Sequence, residues 1–140
     1  MTLQVELVSP ERILYSGEAE AVIARTVGGG DIAFYGGHAP FVGALDVGTV
    51  TIRTPAGVDD EVVAVHGGFV EVSSSGGDNP VTTVTILSDV AELRTQIDVD
   101  RARAAKDRAE AALRTEEEAE ARAALRRADL RLSVADASLV

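Results

Sequence analysis

No cysteine occurs among the 140 residues, which excludes disulfides, thiolate metal centres and cysteine nucleophiles together. Tryptophan is absent and aromatics make up 4% of the chain, so a core has to be built from Val, Ala, Leu and Ile. No run approaches the roughly 18 apolar residues that a membrane span needs. The stretch Met1 to Val8 also lacks the basic lead-in and apolar run of a targeting peptide. A cytosolic or peripheral protein without direct membrane insertion is expected. Positive charge is scarce too, with 13 Lys and Arg against 23 Asp and Glu and a net charge of −10. Nucleic acid is therefore not an expected partner, because neutralising phosphates takes clustered cations.

The scarcities are unevenly distributed. Residues 1–97 hold four basic side chains against thirteen acidic ones, whereas residues 98–140 hold nine against ten. From Asp98 onward there is neither glycine nor proline, and Ala, Arg and Glu dominate, which are strong helix formers. The length suits a compact domain of about 85 to 100 residues with an appendage. The boundary falls after Ser88, giving units 1–88 and 89–140.

Up to Ser88, β-branched residues alternate with polar ones and glycines punctuate the runs. Leu3, Val5 and Leu7 point one way, Gln4 and Glu6 the other. Further strand-like runs are Ala19 to Thr26, Asp31 to Tyr35, Gly48 to Arg53, Glu61 to His66, Phe69 to Ser73 and Val81 to Leu87. Turns are expected at Pro55-Ala56-Gly57 and from Ser73 to Pro80. Many short strands at this spacing predict a sandwich or flattened barrel.

Beyond the boundary, helices are expected over 99–114 and 117–134. Asp98 is placed to cap the first, and Thr115 with Glu118 to cap the second. Ala102, Ala105, Ala109 and Ala112 recur at helical spacing, as do Ala121, Leu125, Ala128, Leu132 and Ala135. The whole reads as an α+β chain, an antiparallel β-sandwich followed by an antiparallel two-helix hairpin. Alanine lets helices approach closely but removes little apolar surface from water, about 0.8 kcal/mol less for each methylene missing relative to leucine. The hairpin is expected to be weakly held and to open.

Chemistry has few footholds. His38 and His66 lie near no nucleophile-elbow serine and form no pair at metal-ligand spacing. Structural or surface roles are expected for both, with partner contact the alternative for His38, displayed in a glycine-rich loop. Gly28-Gly29-Gly30 lacks the Lys-Ser/Thr of a phosphate loop and precedes a strand, so it reads as a turn. Arg101 and Arg108, seven apart, share a helix face. Paired guanidiniums can hold a triphosphate, and a carboxylate such as Asp98 can accept from an adenine amino group or a ribose hydroxyl. On spacing alone, the same residues make ordinary helix ion pairs. Arg122, Arg126, Arg127 and Arg131 form a basic stripe late in the chain, suited either to solvent or to an acidic partner surface.

An ordered set of motifs resembles the epsilon subunits of bacterial-type (F-type) rotary ATP synthases. It comprises Gly30-Asp31-Ile32-Ala33-Phe34-Tyr35-Gly36-Gly37-His38-Ala39-Pro40, then Gly67-Gly68-Phe69-Val70-Glu71-Val72, then Val84-Thr85-Ile86-Leu87-Ser88-Asp89. His66 stands where that pattern often has serine. The resemblance implies a sandwich of about ten strands in a non-catalytic rotor subunit. That subunit joins the gamma subunit to the ring of membrane c subunits, peripherally on the cytoplasmic side of the cell membrane. It implies c-ring contact by Asp31 and His38, and a movable hairpin that inhibits ATP hydrolysis by reaching the alpha and beta subunits, with Arg122, Arg126 and Arg127 toward beta. No cofactor is required, but ATP as a regulatory ligand is implied by Ile97-Asp98-Val99-Asp100-Arg101-Ala102, with Glu92, Arg108 and Arg131 at flanking places. A free-standing nucleotide-binding or hydrolytic domain using Asp98, Arg101 and His38, or a coiled-coil adaptor, are the rival readings.

Overall fold

The computed structural model describes residues 2–56, 58–114 and 118–136. Eight strands come first: β1 (Leu3–Val8), β2 (Ile13–Ala19), β3 (Ala21–Thr26), β4 (Gly30–Tyr35), β5 (Phe41–Arg53), β6 (Glu61–Ser74), β7 (Thr82–Leu87) and β8 (Ala91–Leu93). A single 3₁₀ turn (Arg94–Gln96) leads into α1 (Val99–Leu113) and α2 (Glu118–Asp136). The turn expected at Thr115-Glu116, its cap and Gly57 fall outside the described residues.

β5 and β6 are each one long strand where shorter ones were expected, and each serves both layers of the sandwich. Phe41 to Leu45 pairs with Gly68 to Val72, and that half of β6 pairs onward with β7. Val47 to Ile52 pairs with Glu61 to His66, and that half of β6 pairs with β8. The bend lies at Gly67 and Gly68, whose φ angles of 89° and 134° favour glycine. A Cβ at Gly68 would run into the Leu87 carbonyl oxygen. Counting the two bent strands as halves, one layer is β2-β1-β7-β6-β5 and the other β4-β3-β5-β6-β8, which reconciles eight strands with the ten expected. Pairing is antiparallel except between β1 and β7, which run parallel. The sheet also continues past Ser88, the expected boundary, because β8 adds to β6.

The alternation seen in β1 puts Leu3, Val5 and Leu7 inside, all at most 2% exposed. They join Val22, Phe34, Val50, Ile52, Val63, Val70, Val84 and Ile86 in an aliphatic core with one buried ring, Phe34. The buried Ser88 hydroxyl donates to the Gly67 carbonyl at 2.6 Å and so ties the bend to the end of β7.

Ala102 and Ala109 of α1 and Ala121 and Ala128 of α2 are the buried seam positions. A Lys106–Asp129 ion pair of 2.9 Å adds a surface tie between the helices. The seam is not all that holds the hairpin. Val134, fully buried, packs with Ile97 and with Ala64 of β6, flanked by Val62, Leu130 and Ala135. The hairpin is docked on the sandwich.

Candidate functional site

A concavity of about 530 Å³ lies at the joint between the sandwich and the hairpin. Its floor is the seam itself, with Ala102, Ala105, Ala109, Ala112, Ala121 and Ala124 leaving room that leucines would fill. Its polar walls are Glu92, Gln96, Asp98, Arg101, Arg108, Glu120, Arg127 and Arg131. Four arginines thus face three carboxylates.

The carboxylates are largely occupied. Asp98 caps α1, its Oδ1 accepting from the Arg101 backbone N–H at 3.0 Å, as the sequence predicts. Glu120 takes Arg127 at 2.9 Å, and Glu92 takes Arg131 Nε at 2.6 Å. The Asp98–Arg101 ion pair allowed by the spacing does not form. The Arg101 and Arg108 guanidiniums have no ion-pair partner among the described residues. Two unpaired cations beside small apolar side chains and hydrogen-bonding groups have the chemistry to hold a polyanion with an apolar or aromatic body.

Of the residues expected at an ATP site, Glu92, Asp98, Arg101, Ala102, Arg108 and Arg131 line this one cleft. Ile97 does not; it is buried in the docking contact beneath the hairpin. Arg127, expected in the outward stripe, also lines the cleft, whereas Arg122 and Arg126 are exposed on α2. His66, for which a structural or surface role is expected, borders the same carboxylate. Its Nε2 lies 3.1 Å from Glu92 Oε1, and burial pushes its pKa below the ordinary value, the Glu92 hydrogen bond opposing and Arg131 adding to the effect.

Asp31 and His38 are not brought together. Asp31 lies beside the β3–β4 hairpin tip, opposite Arg25, while His38 follows Tyr35 at the other end of β4. The strand rise separates Asp31 from Tyr35 by ~13 Å. His38 is half-buried, its ring edge-on to Phe34 at 5.1 Å and its Nδ1 2.7 Å from the Ala39 carbonyl.

A second surface emerges from the register. Ala44, Phe69, Leu87, Val8 and Ile13 are cross-strand partners in succession. They form an apolar row over five strands, with Ile13 64%, Phe69 58% and Leu87 45% exposed.

Fold and joint together define a β-sandwich protein with a docked helical hairpin. The family model "ATP synthase, Delta/Epsilon chain, beta-sandwich domain" matches residues 2–94, and its companion, the "long alpha-helix domain", matches residues 95–136. Curated ATP synthase epsilon chains are similar over nearly the whole length. That of Streptomyces avermitilis is 44% identical over 96% of this chain and 96% of its own. That of Syntrophomonas wolfei is 38% identical over 99% and 97%. A chain of the Euglena gracilis mitochondrial ATP synthase, solved with OSCP, F1 and the c-ring, has a similar fold: TM-score 0.75, 21% identity, 99% of this chain and 82% of that one. The chain belongs to the ATP synthase delta/epsilon family, among the bacterial epsilon subunits. No helix among the described residues is long and apolar enough to cross a membrane.

Proposed function

We propose that the chain is a non-catalytic rotor subunit that links the gamma subunit to the c-ring of a proton-translocating ATP synthase, peripherally at the cytoplasmic face of the cell membrane. Its hairpin restrains ATP hydrolysis, and ATP bound at the joint favours the docked form. The observation that carries the regulatory part is the cleft, whose walls come from β8, α1 and α2 and whose two free guanidiniums, Arg101 and Arg108, await an anion. A ligand spanning those elements binds only when the hairpin is docked, and so shifts the population toward it. Asp98 and Glu92 supply acceptors for a base or ribose, and the alanine floor admits a flat ring.

The apolar row through Phe69 and Leu87 is the surface we assign to the gamma subunit, since apolar side chains on an outer sheet face favour burial against a partner. Asp31 and His38 are kept as c-ring contacts, each from its own end of β4. Arg122, Arg126 and Arg127 are assigned to the beta subunit when the hairpin extends past the alpha and beta subunits.

Titration calorimetry of the full chain with ATP tests the site. Binding is expected, weakened tenfold or more by the Arg101→Ala plus Arg108→Ala double variant. Asp98→Asn, which keeps the helix cap, separates ligand recognition from helix stability. No heat at millimolar ATP removes the ATP reading and leaves the rotor reading standing.

A further inference from the structure

His66 lies on the face of β6 that carries Val62 and Ala64, since alternate residues of a strand share a face. Those two pack against Leu130, Val134 and Ala135 of α2. The His66 side chain is 5% exposed, Glu92 25% and Arg131 27%. A single oxygen, Glu92 Oε1, accepts from Arg131 Nε at 2.6 Å and stands 3.1 Å from His66 Nε2. With Nε2–H donating, the neutral imidazole has its bare nitrogen at Nδ1, which is buried without a hydrogen-bond partner. β6, β8 and α2 therefore meet at one carboxylate oxygen, and Arg131 is the hairpin's contribution.

A proton added at Nδ1 creates a buried N–H without an acceptor, on a cation set beside the Arg131 guanidinium. The imidazolium then competes with Arg131 for Glu92. Undocking α2 relieves both problems at once, because Arg131 departs and water reaches the ring. We propose that His66, Glu92 and Arg131 form a proton-operated latch that holds the hairpin on the sandwich while His66 is neutral and releases it when His66 is protonated. The inference rests on the reading that the hairpin undocks, and it supplies the group that times the event.

The charged groups acting on His66 are Glu92 from β8 and Arg131 and Arg127 from α2. From β5 its partner is Val47, whose backbone N–H holds the neighbouring Asp46 carboxylate at 2.8 Å. Burial and the arginines keep the docked-state pKa below the ordinary histidine value, against the pull of Glu92. The docked state thus binds fewer protons than the undocked one. Docking is strongest above the undocked-state pKa and weakens as pH falls through it, until the docked-state pKa is passed. For one group the opening equilibrium gains at most about tenfold per pH unit in that window.

The chain has no native cysteine, so Glu71→Cys and Ser133→Cys, at exposed positions on β6 and α2, can carry a fluorescent donor and acceptor. Energy transfer is expected to fall between about pH 8 and about pH 5, with a midpoint matching proton uptake by His66 followed by NMR of its imidazole. In His66→Gln the transfer should be flat over that range. The latch is overturned by a His66→Gln chain that keeps the wild-type pH response, or by a His66 that titrates while transfer stays constant. The second readout needs no variant at His66. Val134→Asp separates the two readings: if it opens the hairpin and acid does not, only the latch falls; if neither opens it, undocking itself falls.

Discussion

Val134→Ala tests whether the hairpin is a separable unit. The side chain is fully buried between Ala64 of β6 and Ile97 before α1, and truncation removes two carbons from that contact. At about 0.8 kcal/mol per buried carbon plus a cavity contribution, docking should weaken by about 2 kcal/mol. That is roughly a thirtyfold rise in the undocked population. The ion pairs do not offset the loss: Lys106–Asp129 is exposed and lies within the hairpin, where such pairs contribute little, and the Arg131–Glu92 tie to β8 is left as it was by the substitution. Hydrogen exchange by mass spectrometry reads the outcome. Amides of α1 and α2 should exchange roughly thirtyfold faster, while those of β3, β5 and β6 keep their protection. Equal acceleration in helices and sheet would mean that sandwich and hairpin unfold as one body, which refutes the argument. Unchanged helices would mean that Val134 does not govern docking.

Other perturbations are equally direct. Gly68→Ala should lower stability by about 3 kcal/mol or more, because the added methyl meets the Leu87 carbonyl oxygen and the backbone sits at positive φ; a melting temperature within a degree of wild type would contradict this. Asp98→Ala removes the acceptor for the Arg101 N–H and should cost α1 about 1 kcal/mol, seen as faster exchange in its first turn, with Asp98→Asn near wild type. Phe69→Asp, at an exposed strand position, should change stability by about 1 kcal/mol at most while weakening binding to purified gamma subunit tenfold or more. Full binding by that variant would move the gamma surface off the apolar row.

How much of this was legible in the sequence depended on whether the signal was local. β1 was, because a half-buried strand repeats every second residue and Leu3, Val5 and Leu7 obey that rule. Asp98 as a helix cap and the alanine seam were legible for the same reason. β2 was not, since Ile13 is 64% exposed and Ser16 and Gly17 break the alternation. Glycines misled at Gly67-Gly68, which separated the expected runs Glu61 to His66 and Phe69 to Ser73 yet bend one continuous strand. The docking face was hidden because Leu130 and Val134 lie off the seam and their partners Val62 and Ala64 are distant in the chain. The cleft was half legible: its arginines follow helical spacing, and the motif resemblance supplied Glu92 and Arg131. His66 carried no local sign, since Glu92 lies 26 residues and Arg131 a further 39 residues along.

The parallel pairing of β1 with β7 dictates an order of events during synthesis. Gln4 to Val8 lies between β2 and β7, so one edge of β1 stays open until Thr83 to Leu87 leave the ribosome. The sandwich closes only with this long-range pairing, and contacts so far apart in sequence are the kind that slow folding. The helices are made later still, and their dock on β6 is by then in place. A nascent chain stalled before Thr83 exposes an unpaired strand edge, the kind of surface that aggregates. One whose Leu93 has left the ribosome has every strand of the sandwich available to pair.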